Sequence, residues 1–335
     1  MKAGLTYDLR DDYRAEGLSE DQVAEFDRAD TIDCLERELA RLGFEVDRIG
    51  HAKRLVSRLA RGDRWDIVFN IAEGRFGYGR EALVPALLEA YEIPVVFSDS
   101  LVSALTLHKA ATKRVLRDCG LPTPEFAVIE DLSQLEAVAL PYPLFAKPLA
   151  EGSSKGVGLT SKAADASALA RVVADLLRRF DQPVLVETYL PGREFTVGLV
   201  GTGRNARAIG ALEVGLRSSA EPEVYTYANK EDCEIHVEYT LATDELAAAS
   251  CALAVEAWRA VGARDGGRVD IRADAAGRPS VIEVNTLPGM HPEHSDLPIL
   301  CTRAGIPYSD LVAAIVDSAL ERAPAARPAA APCVS

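Results

Sequence analysis

The chain has 335 residues, 48% of them hydrophobic and 26% charged, and a formal net charge of −14. That composition excludes a wholly disordered chain, and the length suits two or three domains of ~100–200 residues each. So acidic a chain lacks the basic stripe that phosphate backbones require, which excludes broad nucleic-acid binding and makes any local group of lysines informative.

Through the first hundred residues short apolar runs alternate with helical patterns, the mark of βαβ units and a parallel sheet. The runs predict strands at 2–6, 44–49, 66–71 and 93–97, with helices near 21–42, 51–61 and 81–91 between them. A single helix over about 101–119 follows and stops at Gly120-Leu121-Pro122-Thr123-Pro124, since glycine after a helix with proline beyond it ends one. The next segment reads strand 126–129, helix 133–138, strand 143–147, glycine-rich loop 151–158, helix 164–180, strand 184–187. Strands at 194–200, 208–214 and 224–227 come next, then a hairpin from 268–273 to 280–284, with helices near 243–262 and 308–322. The fold class is α/β, with α+β parts. The Ala/Pro-rich end, 324–335, has too little apolar bulk to pack and reads as a disordered tail.

The first ten residues lack the apolar stretch of a signal peptide, and no run approaches the ~20 apolar residues that cross a bilayer. The six cysteines are scattered singly, without zinc or redox spacing, which fits a reducing compartment. These features predict a soluble, cytoplasmic protein with no membrane partner.

Three groups of residues can carry chemistry. After the strand ending at Lys147, a loop holds Gly152, Ser153, Ser154, Gly156 and Gly158; glycines bring backbone N–H groups close to a phosphate, and serines add donors. The sequence is not a P-loop, and a flexible surface turn is the alternative. On the hairpin, Glu283 and Asn285 are two apart and share a strand face, which Asp270 of the neighbouring strand can join; two carboxylates and an amide oxygen suit Mg²⁺. A solvated hairpin face is the alternative there, but the tight Thr286-Leu287-Pro288-Gly289-Met290 loop counts against it. Isolated cations, Lys109, Lys230 and Arg268, read singly as surface charges, whereas Lys147 and Glu187 end apolar strands where a charge is costly without a partner.

Taken in order, Gly120-Leu121-Pro122-Thr123-Pro124, Lys147-Pro148, Glu151-Gly152-Ser153-Ser154, Glu187, Gly192-Arg193-Glu194, Arg268-Val269-Asp270 and Glu283-Val284-Asn285-Thr286-Leu287-Pro288-Gly289-Met290 resemble the D-alanine–D-alanine ligases of the ATP-grasp superfamily over about residues 60–320. The resemblance implies an ATP-grasp fold: an α/β amino-terminal domain over 1–100, a central lid domain over 101–190 and a metal-bearing carboxyl-terminal domain over 191–323. It implies an ATP-dependent ligase that joins a carboxylate to an amine through an acylphosphate. Lys109, Lys147 and Lys230 match phosphate contacts, as do Gly152, Ser153 and Ser154 of the loop. Glu187 begins the stretch whose backbone meets adenine, and Glu194 matches the ribose acceptor. Asp270, Glu283 and Asn285 match the ligands of two Mg²⁺ ions, with Mn²⁺ an alternative. Arg268 and the Gly289 N–H match the oxyanion donors, Ser153 a substrate-side serine, and Ser295 the group that holds a substrate carboxylate. Amino acids or other small carboxylates are the implied partners, and a homodimer is compatible with them.

The departures gather on the amino-acid side. The opening ten residues carry no glutamate to bind the first substrate's ammonium; Glu73 and Glu81 are the candidates to replace it. Asp of the family's Asp-Lys pair is His108, the tyrosine after the second phosphate lysine is Glu231, and a longer loop brings His291 and His294. Those two histidines are either substrate or acid–base contacts or loop residues met by water. The resemblance therefore leaves open a ligase for other amino acids or a specialised metabolite, and a nucleotide-binding protein without catalysis.

Overall fold

A computed structural model describes residues 1–216 and 237–323, and among these the strands form three sheets. The first is parallel, in the order β2-β1-β3-β4, from β1 (Lys2–Thr6), β2 (Glu45–Arg48), β3 (Ile67–Asn70) and β4 (Val95–Val96). Helices α1 (Arg10–Ala15), α2 (Glu20–Val23), α3 (Ala29–Arg41), α4 (Ala52–Ala60) and α5 (Leu83–Ala90) connect its strands. Every residue of β3 is buried, as a parallel strand covered on both faces must be. Leu55, Leu59 and Leu88 cover one face of this sheet with Trp65 and Val68.

The single helix expected over 21–42 is two. Arg10 donates to the carbonyls of Ala24 and Phe26 at 2.7 and 2.8 Å, so those oxygens serve the guanidinium and not a helix. The helix expected over 101–119 is also broken, into α6 (Ser100–Leu107) and α7 (Lys109–Asp118). His108 sits between them with its Nδ1 accepting the Ala111 N–H at 3.2 Å, capping α7 so that Lys109 stands in the first turn.

The second sheet runs β5-β8-β6-β7, from β5 (Phe126–Ile129), β6 (Leu144–Pro148), β7 (Lys162–Ala163) and β8 (Val184–Thr188). The short helix expected at 133–138 is a 3₁₀ turn, Leu132–Ala137. Helix α8 (Ala166–Phe180) lays Leu169, Val172, Val173 and Leu176 on this sheet, the apolar face its 3.6-residue spacing predicts.

The third sheet is antiparallel, β11-β10-β9-β12-β13, from β9 (Glu194–Val200), β10 (Arg207–Leu216), β11 (Val237–Ala242), β12 (Gly266–Ala273) and β13 (Pro279–Asn285). Trp258 of α9 (Glu245–Ala260) is fully buried against it. Four short helices and strands had no sequence counterpart, α1, β7, β11 and α10 (Asp296–Arg303); the eight residues of α10, with Pro298 in the first turn, give little periodicity. Helix α11 (Tyr308–Arg322) returns to the first sheet, where Ile315 and Val316 join Leu5 and Phe69 in one core. The strand expected at 224–227 and the tail at 324–335 lie outside the described residues. No single helix among the described residues is long and apolar enough to cross a membrane.

One buried carboxylate ties the first sheet to the third. Asp265, fully buried, accepts from the Phe97 N–H at 2.8 Å, Ser318 Oγ at 2.9 Å, Thr202 Oγ1 at 3.1 Å and Arg322 Nε at 2.9 Å. Asp265→Ala strands the Phe97 N–H and the Arg322 charge and should cost about 3–5 kcal/mol of folding stability. Chemical denaturation measures it, and a loss under about 1 kcal/mol, the scale of an exposed pair, would show that this network does not join the sheets.

Candidate active site

The hairpin supplies the first functional face. Asp270 pairs opposite Glu283 and Arg268 opposite Asn285, so the four side chains stand on one side of the β12–β13 ladder. The register shifts after Asp270, where Ile271 faces Val281, and Ile282 is the extra residue. Such a bulge turns two successive side chains the same way, and Ile282 and Glu283 both line the cleft. Asp270 accepts from Thr196 Oγ1 at 3.0 Å and Asn285 Nδ2 at 2.9 Å; Arg268 lies 3.4 Å from both Asp270 and Asp296.

Three lysines meet this face from below. Lys109 pairs with Glu283 at 2.9 Å and donates to the Glu151 carbonyl. Lys147, on β6, pairs with Glu187 Oε1 of β8 at 2.8 Å. Lys113, one turn along α7 from Lys109, lies 2.9 Å from Glu187 Oε2 and donates to Thr123 Oγ1 at 2.8 Å. Burial lowers the Lys113 ammonium to about 8 against the pull of Glu187. For Lys147 the carboxylates of Glu187 and Glu283 outweigh burial, and its pKa rises. Burial raises Glu187, but the two ammonium groups more than offset this and hold it down to about 2. Glu283 is likewise kept below the ordinary carboxylate range by Lys109 and Lys147 in spite of its burial. Glu194 lies against Arg272 at 2.8 Å, and burial pushes its carboxyl up.

The glycine-rich loop is pinned at its start. Gly152 donates its N–H to Glu25 Oε1, and a Cβ on Gly152 would come within 2.8 Å of that oxygen. Ser153 and Ser154 both hold left-handed backbone, φ 47° and 55°, which is uncommon for residues other than glycine. Lys155 pairs with Glu151 at 2.5 Å and lies 3.6 Å from Glu25. At the far side, Gly289 packs so closely that a Cβ would meet Ser295 Oγ at 2.7 Å, and that hydroxyl accepts the His291 N–H at 3.0 Å.

These groups surround two adjoining cavities. One, of 120 Å³, is lined by Lys109, Lys147, Ser154, Glu187, Glu194, Asp270 and Ile282. The other, of 240 Å³, is lined by Glu25, Asp27, Glu73, Glu81, Gly289, His291, His294 and Ser295. Ser153, Arg268, Glu283 and Asn285 line both and form the wall between them. Lys230 and Glu231 lie outside the described residues.

The larger cavity is crowded with carboxyl groups. Burial, reinforced by the neighbouring acids, raises Glu73 well above the ordinary range, Glu81 to about 7 and Asp27 to about 8. Glu25 is different: Arg80 at 3.2 Å and Lys155 overcome its burial and hold it low. His291 Nε2 is 3.4 Å from Asp30 and its ring lies 4.5 Å from that of His294; burial lowers its pKa.

Sequence reasoning missed Glu25, Arg80 and Lys113. Reading the opening ten residues found no glutamate, yet Glu25 reaches the cavity from the break between α2 and α3. The Ser19-x-x-Gln22 capping box starts the short helix α2 just before it, but no local signal marks the break that delivers Glu25.

The Glu187 carboxyl carries a pH signature. Its pKa is about 2 when folded and near 4.5 when unfolded, so the unfolded chain binds the extra proton in that window. The stability it contributes is present above about pH 4.5 and is lost as pH falls toward 2, on the order of 3 kcal/mol. Comparing denaturation of the wild type and Glu187→Gln across that range should show the wild type losing more; parallel profiles would remove the double ion pair.

Residues 115–317 match the family described as D-ala D-ala ligase C-terminus. The D-alanine–D-alanine ligase of Bordetella avium is 36% identical over 75% of this chain and 77% of its own length. That of Cupriavidus metallidurans is 37% identical over 79% and 78%. Among solved structures, the D-alanine–D-alanine ligase of Bacillus anthracis complexed with ATP superposes with a TM-score of 0.71, at 22% identity, over 96% of this chain and 98% of that one, a likeness of fold. On the extent of these matches, the chain belongs to the D-alanine–D-alanine ligase family of ATP-grasp proteins.

Proposed function

We propose that the protein is an ATP-dependent ligase that joins a carboxylate to an amine through an acylphosphate, with nucleotide in the smaller cavity and amino acid in the larger. The observation that carries this reading is the shared wall. Arg268, Glu283 and Asn285 of one hairpin line both cavities, with Lys109 and Lys147 on the smaller side and Gly289 on the larger.

A carboxylate is a poor electrophile because its leaving group would be oxide. Its oxygen attacks the γ-phosphorus of ATP, ADP departs, and the resulting acylphosphate has phosphate as its leaving group. Lys147, Lys109 and the N–H groups of the 152–158 loop hold the phosphates, and Glu194 accepts from the ribose. Asp270, Glu283 and Asn285 present hard oxygen donors on one face, a set that fits Mg²⁺ or Mn²⁺, and Glu283 stays anionic because two lysines hold its pKa down. Those ions, when bound, neutralise polyphosphate charge. The amine then attacks the acyl carbon, Arg268 and the Gly289 N–H hold the oxyanion, and phosphate leaves. The ammonium must shed a proton first, and Glu81, held near 7 by burial, is the wall carboxyl placed to take it. The loop excludes water from the acylphosphate, and its tie to Glu25 holds its start at the larger cavity.

The substrate pair is where the sequence resemblance leaves the reading open. Glu25 is already engaged by Arg80, Lys155 and Gly152. Glu73, Glu81 and Asp27 make no hydrogen bond or ion pair through their side chains to any described residue, so the acceptors for a substrate ammonium come from this wall. A D-alanine zwitterion brings one ammonium and one carboxylate, a poor match to three extra carboxyl groups. The reading is therefore a ligase whose product is not the D-alanyl dipeptide.

Lys147→Ala and Glu283→Ala should each reduce substrate-dependent ADP release by at least ~10²-fold, the scale of losing a group that stabilises transition-state charge, with the fold retained. Near-normal turnover by either purified variant would remove the site assignment. With D-alanine as sole amino acid, turnover should be poor, and a screen of D- and L-amino acids and amines with Mg-ATP should find a better pair. Efficient D-alanyl dipeptide synthesis would show that the carboxyl wall does not set specificity.

A further inference from the structure

We infer that Lys113 is a positioning residue for the nucleotide: by sharing Glu187 with Lys147, it leaves the Lys147 charge in surplus for the polyphosphate. The inference rests on the reading that Lys147 faces the phosphates of ATP, and adds a residue that touches neither nucleotide nor metal ligand.

The geometry is a buried chain of three charges. Lys113, Glu187 and Lys147 have side chains 1%, 4% and 6% exposed. Only Lys147 and Glu187 line the nucleotide cavity; Lys113 lies behind them. Each lysine takes one carboxylate oxygen, Lys147 Oε1 at 2.8 Å and Lys113 Oε2 at 2.9 Å. Oε2 receives no well-aligned hydrogen bond, so Lys113 acts on it as a charge. The position of Lys113 is fixed independently: it donates to Thr123 Oγ1 at 2.8 Å, and that hydroxyl donates to the Val281 carbonyl at 2.8 Å. Helix α7, the linker after it and β13 therefore hold the ammonium in place whatever Lys147 does.

Two ammonium groups on one carboxylate leave this triad with a net charge of +1. Without Lys113 the wall would hold a neutral Lys147–Glu187 pair, and a phosphate would have to draw Lys147 away from an otherwise unpaired buried carboxylate, which is costly. A second lysine behind the first removes that competition. Removing the Glu187 charge as well should also remove it, which makes the pair of substitutions diagnostic.

The experiment is a double-substitution cycle read as the Kd of Mg-ATP by calorimetry. Lys113→Met should weaken binding by about ten- to a hundredfold, the scale of one charged hydrogen-bonding contact. Lys113→Met with Glu187→Gln restores the net +1 and should bind within about fivefold of the wild type, and Lys113→Arg should do the same. If the Met variant does not fold, Lys113→Gln, which keeps a donor for Thr123, replaces it in the cycle. Wild-type affinity in the neutral single variant, or a double variant no tighter than the single one, overturns the inference. Lys147→Met separates the two claims: if it binds Mg-ATP normally, the nucleotide reading falls; if it binds weakly while the neutral Lys113 variant binds normally, only the role of Lys113 falls.

Discussion

Three ammonium groups lie under the cleft, at Lys109, Lys113 and Lys147, on side chains each 6% exposed or less. A lysine buried to that depth persists only beside a carboxylate, and each partner comes from a different part of the chain. Lys109 reaches Glu283 of the antiparallel sheet, while Lys113 and Lys147 reach Glu187 of the β5-β8-β6-β7 sheet. Two of the three stand one turn apart on α7, so that helix clamps one sheet to the other through charge. The orientation of the sheets, and with it the cleft, depends on these pairs.

Small departures from regular structure make that clamp possible. The break at His108 starts α7 where Lys109 can meet both Glu283 and the loop carbonyl of Glu151. The bulge at Ile282 turns Glu283 toward the lysines while keeping Val281 in the core. The break after Val23 delivers Glu25 to Gly152. Each departure belongs to the site, the place where a fold accepts irregular backbone.

What the sequence made readable was local. The strand–loop–hairpin pattern around Lys147, Gly152 and Asp270–Asn285 depends on spacing within a few residues, and so does the shared face of Glu283 and Asn285. The missed groups depend on partners far along the chain. Glu25 and Gly152 are 127 residues apart, and nothing near Glu25 announces the contact. Lys113 reads locally as one more charge on a helix whose neighbours Arg114 and Arg117 face out; only the approach of β8 and β13 shows that it is buried. The helix breaks were hidden because apolar periodicity continues across them, and the deciding partner was the Arg10 guanidinium, which donates to the freed carbonyls, or the His108 ring, which accepts an N–H.

The two cavities differ in their balance of charge, and on the proposed reading that difference orients the substrates. In the smaller, Lys109, Lys147, Lys155, Arg268 and Arg272 nearly balance six carboxyl groups, whereas the larger holds seven carboxyl groups against three arginines, with Arg268 and Asn285 on the wall between. On that reading the phosphates meet the better-balanced end and a substrate ammonium the acidic one, so that a zwitterion would enter with its carboxylate toward the phosphorus. Burial and the neighbouring acids raise the pKa values of Glu73, Glu81 and Asp27, to about 7 for Glu81 and about 8 for Asp27. An entering cation reverses that balance: it lowers those pKa values, and the carboxyls ionise as it binds. On the proposed reading, cation binding on this side is then coupled to proton release near neutral pH.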